Sequence, residues 1–353
     1  MKILMGADFH IKNDSENHNK AVQQIINDAG DFDIIAILGD FVHSGIKAGS
    51  KTEDYVADVL KILVDTNKPV YILAGTLSHD MNWFNSPFIQ KLFKEKITFI
   101  DKPSIITNDN KRLLFIPEMY KENESLQNYL QDDSIDISFF HGTVADMVTY
   151  KLDNEDKLER NHPREKVFNS NEFPSPFTFC GHYHNYKEMN PVPDKKVVYI
   201  GSLFTNTFGE IDVDGKGMVI FDTDTKEIKR IANKFDNKFV EKEVLEFSDL
   251  NELAQLKNEG VNVRALITND TPIALEKLIV KTLGNKYKNI STIEKEQNEK
   301  LDETTLKKYE EYEKMWKDKG MVAMITSFAC ENGYEVTCNN PSKVEEIYNI
   351  FAN

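Results

Sequence analysis

The stretch KILMGADFH, Lys2–His10, joins an apolar run typical of a buried strand to the triplet Asp8-Phe9-His10. Side chains alternate in an extended segment, so the D-x-H spacing places the carboxylate and the imidazole on the same face. Two such side chains offer two ligands to one cation. The start of the chain therefore predicts both a core strand and part of a metal site.

Beyond this strand, apolar runs alternate with segments of helical periodicity. The strand-like runs KILMGA, DIIAILGD and PVYILAG are separated by predicted helices at residues 19–28 and 52–65, and another helix is predicted at 88–94. This order indicates parallel strands with helices on the sheet faces and functional residues at the carboxyl ends of strands. Short strands follow, ending in a hairpin that turns at Asp222–Asp224. We expect this second half to form a second sheet packed on the first.

The length of 353 residues exceeds what one hydrophobic core usually fills, so we expect more than one domain. The first domain would span residues 1–235, and residues 243–295 read as a small α+β unit. Residues 297–353 are predicted to be helical, because a segment dense in Glu and Lys places Leu306, Tyr309 and Trp316 at helical spacing.

The charge balance argues against a chain that binds nucleic acid over a broad surface. There are 43 Lys and Arg against 58 Asp and Glu, a formal net charge of -15, although a local basic track is compatible with this total. The 3 cysteines have no metal-ligand spacing and indicate reduced thiols. With no signal-peptide pattern and no apolar run that could span a bilayer, we expect a cytoplasmic protein without membrane contact.

Polar residues follow several predicted strands in the manner of Asp8 and His10. Helix caps and turns would explain each acid alone, but they do not explain why five of the 8 histidines lie at strand ends. The candidate site residues are Asp8, His10, Asp40, Ser78, His79, Asp80, His141, His182 and His184. Imidazole and carboxylate ligands suit Mn, Fe or Zn, and a carboxylate between two half-sites can bridge a metal pair roughly 3.5 to 4 Å apart. The implied chemistry is phosphoester hydrolysis.

In this order, the motifs D-x-H, G-D, H-D, H and G-H-x-H resemble the calcineurin-like metallophosphoesterase superfamily over about residues 1–235. Within it, GDFVHSG (Gly39–Gly45) and YIGSLFTNTFGE (Tyr199–Glu210) are similar to the SbcD branch of DNA repair nucleases. The resemblance implies an α/β fold with a two-sheet sandwich flanked by helices, followed by a small α+β cap domain and C-terminal helices. It also implies two divalent metal ions, with Mn the expected metal.

The resemblance implies a role for each candidate residue. The first metal would be held by Asp8, His10, Asp40 and His184. The second would be held by Asp40, His141 and His182, so that Asp40 bridges the pair. His79 would contact the scissile phosphate or protonate the leaving oxygen, and Asp80 would orient it. His43 either lines the substrate cleft or is an ordinary histidine.

One loop departs from the family pattern. The family has Asn between Gly and His, whereas this chain has Gly75-Thr76-Leu77-Ser78-His79, with two more residues and no Asn. Ser78 occupies the aligned ligand position, and Thr76 is the alternative. Either hydroxyl is a neutral oxygen ligand, like the amide oxygen that it would replace.

The SbcD-like resemblance implies a DNA exonuclease or endonuclease that works as a homodimer with an SbcC-like coiled-coil ATPase. Residues 243–295 would be the cap that orients DNA, and residues 297–353 would dock on the ATPase. The expected setting is the cytoplasm, near a nucleoid or in viral replication. Two alternatives stay open: a small-molecule phosphodiesterase or phosphatase of the same superfamily, and a catalytically inactive scaffold with the same fold.

Overall fold

The computed structural model describes residues 1–80, 83–118, 127–132, 134–147, 167–210, 215–268, 270–284 and 287–289. The chain divides into one compact unit at Met1–Asn237 and another at Lys238–Asn353. The predicted helices at 297–353 lie outside the described residues. We describe each unit by itself.

The first unit is built mainly of strands. In chain order, its strands are β1 (Lys2–Gly6), β2 (Ile34–Leu38), β3 (Val70–Leu73), β4 (Ile97–Ile100), β5 (Ser104–Asn108), β6 (Lys111–Ile116), β7 (Ile137–His141), β8 (Phe177–Gly181), β9 (Lys187–Met189), β10 (Lys196–Tyr199), β11 (Gly217–Asp222) and β12 (Ile228–Ala232). Its α-helices are α1 (His18–Ala29), α2 (Lys51–Asp65), α3 (Leu77–Asp80), α4 (Pro87–Phe93) and α5 (Gln127–Leu130).

These strands form two six-stranded mixed sheets. The first has the order β12-β11-β1-β2-β3-β4, and the second has the order β5-β6-β7-β8-β10-β9. Strands β1 to β4 are parallel to one another, as are β6, β7, β8 and β10. The predicted sandwich of two sheets flanked by helices is confirmed.

The assignment of strands to sheets differs from the prediction at two places. Strand β4 and the hairpin β11–β12 belong to the first sheet, although the sequence favoured the second. The hairpin pairs antiparallel with β1, with Met5 opposite Val219 and Ile3 opposite Phe221. This pairing covers the edge of β1 and buries Val219 and Phe221 in the core between the sheets.

The central strand β2 explains why the apolar runs are continuous rather than alternating. All five of its residues, IIAIL, are buried. Ile35 and Ile37 pack in the cluster that contains residues of α1 and α2, whereas Ile34, Ala36 and Leu38 pack in the cluster shared with the second sheet. A parallel strand that is covered on both faces needs apolar residues at every position.

The second unit has its own small sheet and core. It contains β13 (Phe239–Glu243), α6 (Phe247–Asn258), β14 (Asn262–Ile267), α7 (Ile273–Leu283) and β15 (Tyr287–Asn289), with all three strands parallel. The sequence did not reveal β13, because its run FVEKE is half-buried or exposed and carries three charges. Among the described residues of both units, no helix combines the length and the apolar character needed to span a bilayer.

The two sheets lie close to each other at Gly181, at the end of β8. A Cβ atom on Gly181 would lie 2.1 Å from the Leu38 carbonyl oxygen and 2.9 Å from His141 Nδ1. We expect Gly181→Ala to lower the free energy of unfolding by about 1 to 3 kcal/mol, because the backbone of β2 must move. Urea denaturation measures this loss. Gly209→Ala is the control: its Cβ would have its nearest neighbour at 3.7 Å, so an equal loss in both variants would contradict the account.

Candidate metal centre

The polar residues that were predicted to follow strands meet at the carboxyl ends of the parallel strands of both sheets. We call this end of the two sheets the site edge. Asp8 and His10 follow β1, and Asp40 follows β2. The segments after these strands run side by side, since Asp8 N donates to the Gly39 carbonyl at 3.0 Å and His10 N donates to the Asp40 carbonyl at 3.0 Å. His141 ends β7 in the second sheet, and His182 and His184 follow β8.

Several candidate ligands have left-handed backbone conformations, which are unfavourable for residues other than glycine. Asp8, His10, Asp40 and His182 have φ values of 51°, 48°, 50° and 92°. Positive φ in residues other than glycine is uncommon, and such residues concentrate at functional sites. Four of the candidate ligands therefore have backbones held in place by the surrounding fold.

The first group of ligands consists of Asp8, His10 and His184, whose ligand atoms lie within 4.8 Å of one another. His10 Nε2 and His184 Nε2 are only 3.0 Å apart. Burial lowers the pKa of His10 to about 3, so its ring is neutral at physiological pH. Nitrogen atoms that converge in this way, beside a buried carboxylate, fit a divalent cation of the transition series.

The second group consists of Asp40, His141 and His182, again with all ligand atoms within 4.8 Å. Asp40 lies between the two groups: its Oδ1 is 3.4 Å from His141 Nε2, and its Oδ2 is 3.9 Å from His10 Nε2. One carboxylate therefore faces ligands of both groups. This is the placement that a bridging ligand of a metal pair requires.

The charges of the second group are arranged as an ion pair. Burial alone would lower the pKa of His141, but the carboxylate of Asp40 raises it to about 10. Burial opposes ionisation of Asp40 as well, yet the neighbouring His141 holds the pKa of Asp40 below its ordinary range. Protonated His141 thus supplies the positive charge that a cation would supply when bound, and binding of a cation at His141 would release that proton.

Asp8 is the acid of the first group, and it is fully buried. Burial raises the pKa of Asp8 to about 6, although nearby His141 and His184 act in the opposite direction. The backbone N–H of His182 donates to both of its oxygens, at 3.1 and 3.0 Å. A cation at this position would stabilise the ionised form of Asp8.

His79 belongs to neither of these two groups, but its ligand atom lies within 4.8 Å of those of His10 and His43, which form a third cluster with it. Its ring centroid is 4.8 Å from that of His10 and 5.4 Å from that of His43. His79 Nδ1 contacts the backbone carbonyl oxygen of His43, which acts as the acceptor for a ring N–H. This contact leaves Nε2 of His79 as the atom available to a substrate. His43 is exposed, and its ring centroid lies 5.5 Å from that of His10.

Asp80 has a different set of partners from the one that the resemblance implies. It is buried, and its carboxylate accepts from Val42 N at 3.2 Å, Gly75 N at 2.8 Å and Trp83 Nε1 at 3.0 Å. The contact that orients His79 comes from His43 instead. Adjacent residues of a helix point in different directions, and His79 and Asp80 both belong to α3. Asp80 therefore fixes the loops around the site rather than the ring of His79.

The structure favours Thr76 over Ser78 as the substitute for the family Asn. Thr76 Oγ1 lies 3.2 Å from Asp40 Oδ2 and 3.4 Å from His141 Nε2, whereas Ser78 is exposed on α3. The additional residues of this loop form a helical turn, in which His79 N and Asp80 N both donate to the Thr76 carbonyl. Ser78 is thereby turned outwards.

We expect Thr76→Val to weaken binding of Mn²⁺ by about tenfold, because the hydroxyl group near Asp40 and His141 is lost while the shape is kept. Ser78→Ala is the matched control and should bind as the wild-type chain does. Equilibrium dialysis of both variants measures the difference. If only Ser78→Ala lost affinity, Ser78 rather than Thr76 would be the ligand.

The fold and the paired ligand groups define a metal-dependent phosphoesterase. The chain matches the family model described as calcineurin-like phosphoesterase over residues 1–209, and it belongs to that family. This family membership implies phosphoester hydrolysis with metal, usually at a dinuclear site, and the two ligand groups are where this chain would hold the ions.

The chain is similar to several solved structures. A dimetal phosphatase from Danio rerio is 11% identical, with 62% of this chain and 91% of that chain covered and a TM-score of 0.35. GAP50, described as the anchor in the inner membrane complex of Plasmodium, is 12% identical over 67% and 90%, with a TM-score of 0.40. Vps29 from Entamoeba histolytica, a double mutant, is 11% identical over 63% and 86%, with a TM-score of 0.30. No curated protein matches the chain.

Proposed function

We propose that the chain is a Mn-dependent DNA nuclease of the SbcD type that hydrolyses phosphodiester bonds. The observation that carries this proposal is the position of Asp40 between two ligand groups, with the ring of His79 beside them. A bound pair of divalent ions supplies an activated water and neutralises charge on the phosphoryl group.

The residues of the chain have distinct parts in this reaction. Asp8, His10 and His184 hold the first metal position, His141 and His182 hold the second, and Asp40 serves both. The Nδ1–H of His79 donates a hydrogen bond to the His43 carbonyl oxygen, and its Nε2 faces the substrate. When Nε2 carries a proton as well, the imidazolium contacts the scissile phosphate or gives that proton to the leaving oxygen.

Three features support a polymeric substrate over a small one. The site edge is open, since His43 is exposed and the side chain of His184 is 26% exposed. The segments Gly39–Gly45 and Tyr199–Glu210 carry the SbcD-like resemblance, and both lie at the site edge: Asp40 is in the first, and Glu210 of the second contacts His184. A second compact unit follows the phosphoesterase unit and is available to act as a DNA-orienting cap.

We also propose that an SbcC-like coiled-coil ATPase binds residues 297–353 and that the nuclease acts as a homodimer. The acidic net charge of -15 supports a subunit that obtains much of its DNA affinity from a partner. Pull-down with such an ATPase tests the docking element, and binding that survives truncation after residue 296 would contradict it.

Hydrolysis of linear duplex DNA, single-stranded DNA and bis-(p-nitrophenyl) phosphate, with Mn²⁺ and then with chelator, tests the proposal. We expect degradation of DNA that requires Mn²⁺ and stops with chelator. Turnover of the small diester without degradation of DNA would instead support a small-molecule phosphodiesterase. Absence of turnover on every substrate, with no metal bound, would support a scaffold.

A further inference from the structure

A buried ion pair lies behind His184, on the side of the ring away from His10. Glu210 Oε1 is 2.9 Å from His184 Nδ1, and Glu210 Oε2 is 2.7 Å from Lys216 Nζ. Glu210 and Lys216 are only 6% and 4% exposed. Apolar residues of similar volume often fill such a space at no loss of stability, so packing does not explain the pair.

The pair holds both the ring and the backbone of His184. Lys216 Nζ donates to the His184 carbonyl oxygen at 2.6 Å in addition to its contact with Glu210. Thr207 Oγ1 donates to Glu210 Oε1 at 3.1 Å, and Asn206 N donates to Glu210 Oε2 at 3.3 Å. The Glu210 carboxylate is therefore held from several directions, which fixes its distance to the His184 ring.

A carboxylate in this place determines which nitrogen of His184 carries the proton. When Nδ1–H donates to Glu210, Nε2 keeps its lone pair, and Nε2 is the atom that faces His10 at 3.0 Å. A negative charge behind the ring also makes Nε2 a stronger donor to a metal. Neither effect requires contact between Glu210 and substrate.

The second ligand group is supported differently. His141 Nδ1 lies 2.7 Å from the Leu38 carbonyl oxygen, which is a neutral acceptor. A neutral carbonyl fixes the tautomer in the same way but adds less electron density than a carboxylate. The two metal positions therefore differ in the acceptor behind one histidine of each: a carboxylate at His184 and a neutral carbonyl at His141.

We propose that Glu210, held by Lys216, is a positioning residue that makes the metal position at Asp8, His10 and His184 the tighter of the two. This inference rests on the proposed two-metal centre. It assigns a role to residues that lie outside both ligand groups and explains why a buried Lys and Glu are placed against one histidine.

Titration of the full chain with Mn²⁺ tests the proposal, with equilibrium dialysis for affinity and electron paramagnetic resonance for coupling between ions. We expect Glu210→Gln to weaken the tighter of the two positions by about 10- to 100-fold and to leave the weaker one unchanged. With one equivalent of Mn²⁺, the wild-type spectrum should be that of single ions at the tighter position, whereas in the variant the ions should distribute over both positions. Unchanged affinity at both positions would overturn the proposal.

Two further variants separate positioning from folding. In Glu210→Gln, an amide N–H₂ can face the ammonium group of Lys216, so the double variant Glu210→Gln/Lys216→Met removes that repulsion. We expect the double variant to keep the weakened position, and recovery of wild-type affinity in it would contradict the role of the carboxylate. Glu188→Gln is the matched control: Glu188 pairs with Lys196 at 2.8 Å on the surface, and its loss should leave both positions unchanged.

Because binding is measured without DNA, the two proposals can fail separately. A wild-type chain that binds two Mn²⁺ ions but cleaves no DNA would contradict the nuclease and leave the role of Glu210 intact. If the wild-type chain cleaves DNA but the Glu210→Gln variant binds both ions normally, the role of Glu210 is contradicted and the nuclease proposal stands.

Discussion

Asp40→Asn is expected to abolish binding of the metal pair and to lower phosphodiester hydrolysis by at least about 10³-fold. Its two oxygens face different ligand groups, with Oδ1 3.4 Å from His141 Nε2 and Oδ2 3.9 Å from His10 Nε2. An amide keeps the shape but offers one neutral oxygen in place of two charged ones. Since a metal ion contributes several kcal/mol of charge stabilisation, loss of the pair removes several factors of ten in rate.

Metal content and initial rates of the same preparation measure both effects of Asp40→Asn. The control is Asp58→Asn, which removes an exposed carboxylate from α2 and should leave both quantities unchanged. Retention of two tightly bound ions in Asp40→Asn would contradict the bridging role. Loss of activity in the control would indicate an effect of net charge instead.

His79→Ala is expected to keep both metals and to lower DNA hydrolysis by about 10²- to 10⁴-fold, the usual range for loss of a general acid. The ring of His79 lies 4.8 Å from that of His10 and belongs to the helical turn after β3. Its Nδ1 is occupied by the His43 carbonyl, so Nε2 is the group that substrate would meet. Metal dialysis and single-turnover cleavage of DNA measure the two results.

The choice of substrate distinguishes the two roles open to His79. If it protonates the leaving oxygen, His79→Ala should lose much less activity on bis-(p-nitrophenyl) phosphate, because p-nitrophenolate leaves without a proton. Equal losses on DNA and on this diester would indicate a contact with the phosphate instead. A fully active His79→Ala chain would refute both roles.

The sandwich and the clustering of the candidate ligands could be predicted from sequence because both follow from local patterns. Continuous apolar runs such as Ile34–Leu38 predict strands that are covered on both faces, and parallel strands bring their carboxyl ends to one edge. D-x-H and G-H-x-H then place pairs of ligands at that edge. The segments that hold Asp8, His10 and His182 are not extended, however, since these residues have positive φ, and the strand pattern did not predict this conformation.

Other parts of the site depend on loop conformations and on contacts between residues that are distant in the sequence. Counting back from His79 favours Ser78, but a helical turn moves Ser78 outwards and leaves Thr76 beside Asp40. Glu210 and Lys216 stand 26 and 32 residues after His184, and no local pattern marks them as its partners. The position of β11 and β12 in the first sheet likewise depends on the pairing of β11 with β1, a strand more than 200 residues away in the sequence.

The most direct test of the two-metal centre is anomalous diffraction from crystals of the full chain soaked in Mn²⁺. We predict two anomalous peaks roughly 3.5 to 4 Å apart, one at Asp8, His10 and His184 and one at His141 and His182, with Asp40 between them. A single peak, or peaks away from these residues, would contradict the account.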